Sequence, residues 1–337
     1  MSLARACVAA ALSALAACSA SDAEAPIAEQ WRALSIHAEP IELGAERIGK
    51  LAFRGGLVLT SDDAEFGGLS GMEVLDGGRV LIVNDDAEWF EARLVLDERG
   101  WLAGFTDLRY AYVLDEAGEP LWPGRRSDSE GLTQLPDGRF AVSFEFTQSI
   151  RIYDLNRDGP FGAARAGPPL AGTAHLPSNA GIEALAAAAN GDLIAGAEGG
   201  VGSPTVSLWR LPLDGAEPLE PIAQYRPEPS FSLTGLDRLP DEDFVAVERF
   251  YAPVIGGRTR ITRFSENALG SGEVAPEELA RIAPPLVLDN FETIAATRLP
   301  DGTTRLYVLS DDNYNRRQRT LLFAFDIVDE PQSAAAP

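Results

Sequence analysis

The chain has 337 residues, 45% hydrophobic and 23% charged, a composition that is ordinary for a folded protein. Its 51 acidic residues against 28 Lys and Arg give a formal net charge of −23, which opposes nucleic acid binding because phosphates need cationic partners. Beyond the N-terminal segment, no stretch is apolar for long enough to span a bilayer.

Residues 1–17 are predicted to be a lipoprotein signal peptide. Arg5 gives a positive start, an apolar run follows, and Leu15-Ala16-Ala17-Cys18 matches the bacterial lipobox, in which the cysteine is lipidated. An ordinary cleaved signal peptide is the alternative. The lipobox predicts an exported protein anchored in the membrane through Cys18, and Ser19 is compatible with the periplasmic face of the outer membrane.

Residues 18–40 are predicted to form a tether, because they begin with small, polar and acidic residues that have little to bury. The folded part is expected over residues 41–330, followed by a disordered tail over 331–337. After removal of the signal peptide Cys18 is the one remaining cysteine, so no disulfide can form within the mature chain.

A predicted β-hairpin recurs five times along the folded part. The clearest copy begins at Asp128-Ser129-Glu130-Gly131-Leu132, turns at Asp137-Gly138 and ends at Glu145. Asp-Gly between alternating apolar and polar flanks is a strong hairpin signal. The other copies begin around Gly71, Glu183, Leu236 and Glu292, and the steps from Glu130 to Glu183 and from Glu183 to Leu236 are both 53 positions.

A repeat of this length, built from strands and turns, is typical of β-propeller blades. The sequence therefore predicts an all-β protein, a propeller of five or six four-stranded blades. The last blade has three strands of its own, ending with residues 321–327. The segment near residues 57–59 is the predicted fourth, so that pairing of the N- and C-terminal strands closes the ring and removes exposed edges.

The hairpin ends are expected to form one acidic mouth, because the first strand of each propeller blade lines the central channel. Carboxylates this close cannot all stay ionised, so their pKa values rise or a cation binds. Oxygen ligands without His or Cys favour Ca²⁺, with Mg²⁺ as the alternative. A purely structural role, capping strand ends or pairing with arginines, is the competing interpretation. The expected mouth residues are Asp85, Asp86, Asp128, Glu130, Glu145, Glu183, Glu198, Asp237, Glu248, Glu292, Asp311 and Asp312.

Specific roles follow from this placement. Glu130, Glu183 and Glu292 are the predicted catalytic carboxylates, acting as general acid or base. The predicted contacts to a small anionic ester substrate are Arg126, Arg249 and Arg316. The predicted metal ligands are Asp86, Glu145, Glu198, Glu248, Asp311, Asp312 and Asn313.

Several of these motifs in combination resemble the phytase-like domain family, bacterial proteins labelled as having esterase-like activity of phytase. The resemblance covers roughly residues 45 to 328 and implies a β-propeller that hydrolyses phosphoesters or esters. Propeller phytases bind several Ca²⁺ ions and use basic residues, whereas this chain has a single lysine, Lys50, which argues against phytate itself. The motifs are Phe66-Gly67-Gly68-Leu69-Ser70-Gly71, Asp128-x-Glu130-Gly131-Leu132, Asn179-x-Gly181-x-Glu183, Val247-Glu248-Arg249, Asn290-Phe291-Glu292 and Ser310-Asp311-Asp312-Asn313-Tyr314.

The leading hypothesis is a monomeric, lipid-anchored periplasmic hydrolase with a divalent cation at the acidic mouth. The first alternative is a non-catalytic envelope module that holds a ligand or a protein at the same mouth. The second is a lactonase-type propeller enzyme.

Overall fold

The structure is a computed structural model that describes residues 31–121, 127–177, 180–199 and 202–328. The signal peptide, Cys18, Arg126, Asn179 and the predicted tail at 331–337 lie outside the described residues. Within these ranges, no helix combines the length and the apolar character that crossing a membrane requires.

The regular secondary structure of the described chain is almost entirely β-strand. Four N-terminal strands come first: β1 (Arg32–Ala33), β2 (His37–Pro40), β3 (Arg47–Ile48) and β4 (Leu51–Thr60). Blade one contains β5 (Leu69–Leu75), β6 (Arg79–Asn84), β7 (Glu88–Leu96) and β8 (Leu102–Tyr112). Blade two contains β9 (Ser129–Gln134), β10 (Phe140–Phe144), β11 (Ser149–Tyr153) and β12 (Arg165–Ala166).

The remaining blades follow the same plan. Blade three contains β13 (Ile182–Ala187), β14 (Leu193–Ala197), β15 (Val206–Leu211) and β16 (Ala223–Tyr225). The short β20 (Glu273–Val274) pairs with β16 at the edge of blade three. Blade four contains β17 (Ser232–Arg238), β18 (Phe244–Ala252), β19 (Gly256–Phe264) and β21 (Glu277–Ile282). Blade five contains β22 (Asn290–Arg298), β23 (Thr304–Asp311) and β24 (Thr320–Ile327). The helices are α1 (Leu155–Asp158) and four 3₁₀ segments, Asp76–Gly78, Gly159–Phe161, Thr173–His175 and Glu266–Ser271.

These strands form five blades, antiparallel except for the parallel pairing of β20 with β16, and this decides between the five and six that the sequence left open. The first strands of neighbouring blades contact one another in a closed ring. The buried apolar side chains form five clusters, one between each pair of adjacent blades. Between blades one and two, for example, Trp89 packs edge-on against Tyr153 with ring centroids 5.1 Å apart. Each blade therefore buries both faces against its neighbours, as a propeller requires.

The ring closes as the sequence predicts. Strand β4 supplies the fourth strand of blade five and pairs antiparallel with β24, from Leu59 opposite Thr320 to Leu51 opposite Ile327. This pairing leaves neither strand as a free edge, because β2 covers the other side of β4.

The folded part begins earlier than the predicted boundary at residue 41. Residues 31–40 are not a tether, because β1 pairs with β8 and β2 pairs with β4. Both strands lie at sheet edges and most of their side chains are exposed. Edge strands of this kind are held by backbone hydrogen bonds, so their sequence lacks the apolar alternation that reveals a strand.

Every first strand carries a β-bulge near its start. In four blades one extra residue interrupts the pairing with the second strand, and these residues are Ser70, Glu183, Thr234 and Glu292. In blade two the shift falls at Glu130 and Gly131, opposite Ser143. A bulge turns a side chain away from the regular alternation of a strand. Here it directs the bulged residue towards the mouth of the central channel.

The glycine after the bulge in three blades allows the first strands to approach closely. A β-carbon added at Gly131 would lie 2.5 Å from the carbonyl oxygen of Glu183 in the next blade. The equivalent distances are 2.4 Å from Gly71 to the Glu130 carbonyl and 2.5 Å from Gly235 to the Glu292 carbonyl. Any side chain here would force neighbouring blades apart.

Candidate functional site

Each blade has three equivalent positions at this end of the ring: the residue two before the bulge, the bulge residue itself, and the residue that lies opposite the first of these in or just after the second strand. The backbone shows the equivalence directly. In blades one to three the same 2.9 Å hydrogen bond is made from the amide of Asp85 to the Gly68 carbonyl, from Glu145 to Asp128, and from Glu198 to Gly181. The same register pairs Arg249 with Ser232 and Asp311 with Asn290 in blades four and five.

The side chains at these positions differ by blade, so the mouth is acidic on most of its circumference and basic at one point. Four blades contribute carboxylates, whereas blade four contributes two hydroxyls and an arginine. In blade order the triplets are Gly68, Ser70 and Asp85; Asp128, Glu130 and Glu145; Gly181, Glu183 and Glu198; Ser232, Thr234 and Arg249; Asn290, Glu292 and Asp311.

Ten of these fifteen residues line a cavity of about 540 Å³; the other five, Gly68, Ser70, Gly181, Thr234 and Asn290, are not among its lining residues. Among the described residues its lining contains eight carboxylates and one arginine, Arg249. The structure thus brings together most of the residues predicted from the sequence: Glu130, Glu145, Glu183, Glu198, Glu292, Asp311, Asn313 and Arg249. Asp85 and Asp128, expected at the mouth but given no role, also line it.

Glu248 does not face the mouth, and the expectation that it does is wrong. It is fully buried inside blade four, where its carboxylate accepts from the Tyr225 hydroxyl at 2.7 Å and from Arg260 Nη1 at 2.9 Å. Its neighbour Arg249 occupies the mouth position instead. Successive side chains of a strand point to opposite faces, so a shift of one residue reverses which of the two reaches the channel.

Four further predicted residues lie elsewhere or beside the cavity. Asp237 is at the other end of its strand and accepts from the Ala296 amide at 2.6 Å. Asp312 holds a turn by accepting from the amides of Gly68 and Tyr314. Asp86 lies beside the Tyr314 phenol, and Arg316 is exposed on the loop after β23, both outside the lining residues of the cavity. Arg126 lies outside the described residues.

The carboxylates of the mouth lie against one another in pairs. Glu145 is beside Asp128, Glu183 beside Glu198, and Asp311 beside Glu292, each close enough to share a proton with its neighbour. Burial, followed by the repulsion of nearby acids, raises the pKa of Glu145 to about 8 and that of Asp311 to about 9. The pKa of Glu130 is raised well above its usual range by burial and by Asp85, Glu183 and Glu292.

Asp85 is held in a defined orientation at the blade-one side of the cavity. The Ser70 hydroxyl donates a hydrogen bond to its carboxylate. Burial raises the pKa of Asp85 to about 7, with the Ser70 hydrogen bond opposing the shift and Glu292 and Asp128 adding to it. A carboxyl of this pKa can gain or lose a proton near neutral pH.

Arg249 is the fixed positive charge of the cavity. Its Nη2 lies 3.2 Å from Glu198, its Nη1 donates to Asn290 at 2.8 Å, and Nη1 also lies 3.4 Å from Glu292. Burial opposes the charge, but the carboxylates of Glu292, Glu183 and Glu198 outweigh it and raise the arginine pKa. The guanidinium therefore stays charged and held in place.

Two groups of three carboxylates are close enough to hold metal ions. One is Asp128, Glu130 and Glu145, and the other is Glu145, Glu183 and Glu198; within each, the ligand oxygens all lie within 4.8 Å of one another. Glu145 belongs to both. An all-oxygen donor set fits Ca²⁺ or Mg²⁺. Asp128 has a φ of +30°, where blade one has a glycine, so an acid occupies a backbone position that is costly for it.

Comparisons with known proteins complete the description of the site. The family model described as phytase-like, esterase-like activity of phytase, matches residues 64–314. A comparison with curated proteins found no match. Similar solved structures include the PQQ-bound aldose sugar dehydrogenase of Streptomyces coelicolor (14% identity, 87% of this chain and 99% of that one, TM-score 0.41). They also include the gluconolactonase XC5397 of Xanthomonas campestris (13% identity, 88% of this chain and 97% of that one, TM-score 0.41). A third is virginiamycin B lyase of Staphylococcus aureus (10% identity, 87% of this chain and 100% of that one, TM-score 0.38).

Proposed function

The chain belongs to the phytase-like family, described by its esterase-like activity of phytase, and on that premise we propose that it hydrolyses phosphoester or ester bonds at the acidic mouth. The observation that carries the proposal is the pair of carboxylate groups that share Glu145 in a cavity facing Arg249.

The carboxylates are proposed to hold divalent cations. Asp128, Glu130 and Glu145 would hold one and Glu145, Glu183 and Glu198 a second, with Ca²⁺ favoured over Mg²⁺ by analogy with the family. A bound cation would supply Lewis-acid polarisation of a phosphoryl or carbonyl oxygen. The cavity without cations is poorly suited to an anionic substrate, because its carboxylates would repel the substrate.

The remaining side chains have roles that follow from their own positions. Arg249, held by Glu198, Asn290 and Glu292, would orient an anionic oxygen of the substrate. Glu292 positions that arginine. Asp85, oriented by Ser70, can hold or release a proton at its carboxyl oxygen near neutral pH.

Turnover of a panel of phosphoesters, carboxylic esters and lactones, with and without EDTA, tests the proposal. We expect activity on a phosphoester or carboxylic ester that EDTA abolishes, and a fall in kcat of about 100-fold or more in Glu130→Gln. Glu98→Gln, an exposed acid away from the mouth, is the matched control and should retain activity.

Turnover that is reduced neither by EDTA nor by Glu130→Gln would contradict the metal mechanism. Ca²⁺ binding in calorimetry without turnover of any ester would favour the non-catalytic binding module, and turnover restricted to lactones would favour the lactonase alternative.

We also propose, from the lipobox, that the protein is exported and lipid-anchored through Cys18 in the cell envelope. Labelling of expressing bacteria with a radioactive fatty acid should mark the wild-type chain and not Cys18→Ala. Equal labelling of both would rule out this cysteine as the lipid attachment site.

A further inference from the structure

A second cavity, of about 700 Å³, adjoins the acidic mouth. The two cavities share Arg249 and Asn313 in their linings, so a ligand in one can extend into the other. The second cavity is lined by the β18–β19 hairpin, by the segment leading into β22 and by the loop after β23. The lining residues beyond the two shared ones are Phe250, Tyr251, Gly257, Arg258, Leu288, Asp289, Asn290, Asn315, Arg317 and Gln318. The second cavity is named the side groove below.

This part of the β18–β19 hairpin is an extension that blades one to three lack. Strands β6, β10 and β14 end immediately before their mouth residues, whereas β18 continues past Arg249 and pairs with β19 as far as Ala252 opposite Gly256. Phe250 packs on Phe231, with ring centroids 5.5 Å apart, and Tyr251 is 70% exposed. Phe250 and Tyr251 therefore add aromatic surface to the lining of the side groove next to the mouth.

The charge of the side groove is opposite to that of the mouth. Besides Arg249 it is lined by Arg258 and Arg317, and neither forms an ion pair with a carboxylate in the part of the chain that the structure describes. Among the described residues that line it, the one acid is Asp289, which is paired with Arg319 at 3.2 Å.

Most of the described arginines pair with acids, whereas Arg258 and Arg317 pair with none of the described acids. Two unpaired guanidiniums in one groove, beside Phe250, Tyr251 and Leu288, form a surface suited to an oxyanion attached to a planar or apolar body. The carboxylates of the mouth are not suited to that part of a ligand.

We propose that the side groove is the specificity site, which binds the non-reacting part of the ester substrate. That part would be an aromatic or apolar group bearing a carboxylate or phosphate, with the oxyanion at Arg258 and Arg317 and the scissile ester beside Arg249. The proposal rests on the proposed hydrolase function and names the class of substrate for it.

Calorimetry in EDTA tests the side groove without turnover and without a cation in the mouth. The probes are phenylphosphonate, methylphosphonate, which lacks the ring, and benzyl alcohol, which lacks the charge. We expect the wild type to bind phenylphosphonate most tightly, and the double variant Arg258→Gln/Arg317→Gln to bind it at least 10-fold more weakly. Arg258→Lys/Arg317→Lys, which keeps the charges, should retain most of the affinity.

The matched control is Arg165→Gln/Arg298→Gln, which removes the same charge from exposed sites outside the lining of either cavity. It should bind like the wild type. Equal phenylphosphonate binding by the wild type and Arg258→Gln/Arg317→Gln, with both folded by circular dichroism, would overturn the proposal. So would equal weakening in the control.

Kinetics separate this proposal from the hydrolase proposal. With 4-carboxyphenyl phosphate, Arg258→Gln/Arg317→Gln should raise KM at nearly unchanged kcat, and with phenyl phosphate it should change KM much less. If phenylphosphonate binding depends on Arg258 and Arg317 but no ester is turned over, the side groove is a binding site and the hydrolase proposal is wrong. If esters are turned over with the same KM by wild type and variant, the hydrolase proposal is supported and the side-groove proposal is wrong.

Discussion

At the scale of single residues, the mouth depends on which of two adjacent side chains reaches it. Glu248 and Arg249 follow one another on β18 and point to opposite sides. Arg249 contacts the carboxylates of the mouth. Glu248 accepts hydrogen bonds from the Tyr225 hydroxyl, Arg260 and the Glu228 amide inside the blade. Glu248 is therefore a structural residue, and its substitution should affect folding rather than metal binding.

We expect Glu248→Ala to lower the free energy of unfolding by about 3 kcal/mol, because it leaves Arg260 and the Tyr225 hydroxyl without their buried acceptor. Urea denaturation followed by tryptophan fluorescence measures the loss. Glu98→Ala, at an exposed position, should change it by less than about 0.5 kcal/mol. A Glu248→Ala protein as stable as the wild type would show that the buried network contributes little.

At the scale of elements, the bulged first strand is the unit that builds both ring and site. The bulge directs Glu130, Glu183 and Glu292 to the mouth, and a small residue next to it lets the strands pack around the axis. Adjacent residues of the motif therefore have different functions. Glu130 lines the cavity, and Gly131 leaves room for the backbone of blade three.

Gly131→Ala should destabilise the protein by about 1–3 kcal/mol, because its β-carbon would overlap the Glu183 carbonyl and overpack the channel. Gly131 has an ordinary φ, so the effect would come from lack of space alone. Gly270→Ala is the matched control, since no atom lies within 4 Å of its added β-carbon. Thermal melts of the two variants should differ clearly; similar melting temperatures would show that the strands can move apart at little cost.

At the scale of the whole molecule, the propeller concentrates charge that the open chain would disperse. Among the described residues, four blades bring eight carboxylates to one cavity, and blade four adds one arginine. Without a cation, folding therefore requires several of these groups to keep their protons, and this links the stability of the ring to pH and to cation binding.

The cation-free protein should become less stable as the pH rises from about 5 to 9. The pKa values of Asp85, Glu145 and Asp311 are raised to about 7, 8 and 9, so the folded state binds more protons than the unfolded state across this window. Stability then falls with rising pH until these groups have ionised. Melting temperatures measured in EDTA from pH 5 to 9 check the slope.

Millimolar Ca²⁺ should remove most of that loss at pH 8, because the cation replaces the protons. Glu145→Gln, which changes the carboxylate common to both groups, should weaken both the pH slope and the response to Ca²⁺. A melting temperature that rises with pH in EDTA would contradict the view that protonated carboxyls relieve the repulsion.

Much of this architecture follows from the sequence itself. The spacing of the hairpins predicts the blades, the strand near residues 57–59 predicts the closure, and acids recurring at hairpin ends predict a shared mouth. These features are local or periodic: turn residues and alternation specify each hairpin, and repetition specifies the ring.

The tertiary structure alone decided the rest. Arg249, and not Glu248, pairs with Ser232 at the mouth position of blade four, and because successive side chains of a strand point to opposite faces, an error of one residue in register exchanges the two. The edge strands before residue 41 could not be predicted from the sequence, because they are held by backbone hydrogen bonds and show no apolar alternation. The side groove joins Arg258 and Arg317 from separate segments, and only the packing of blades four and five around one axis places them together.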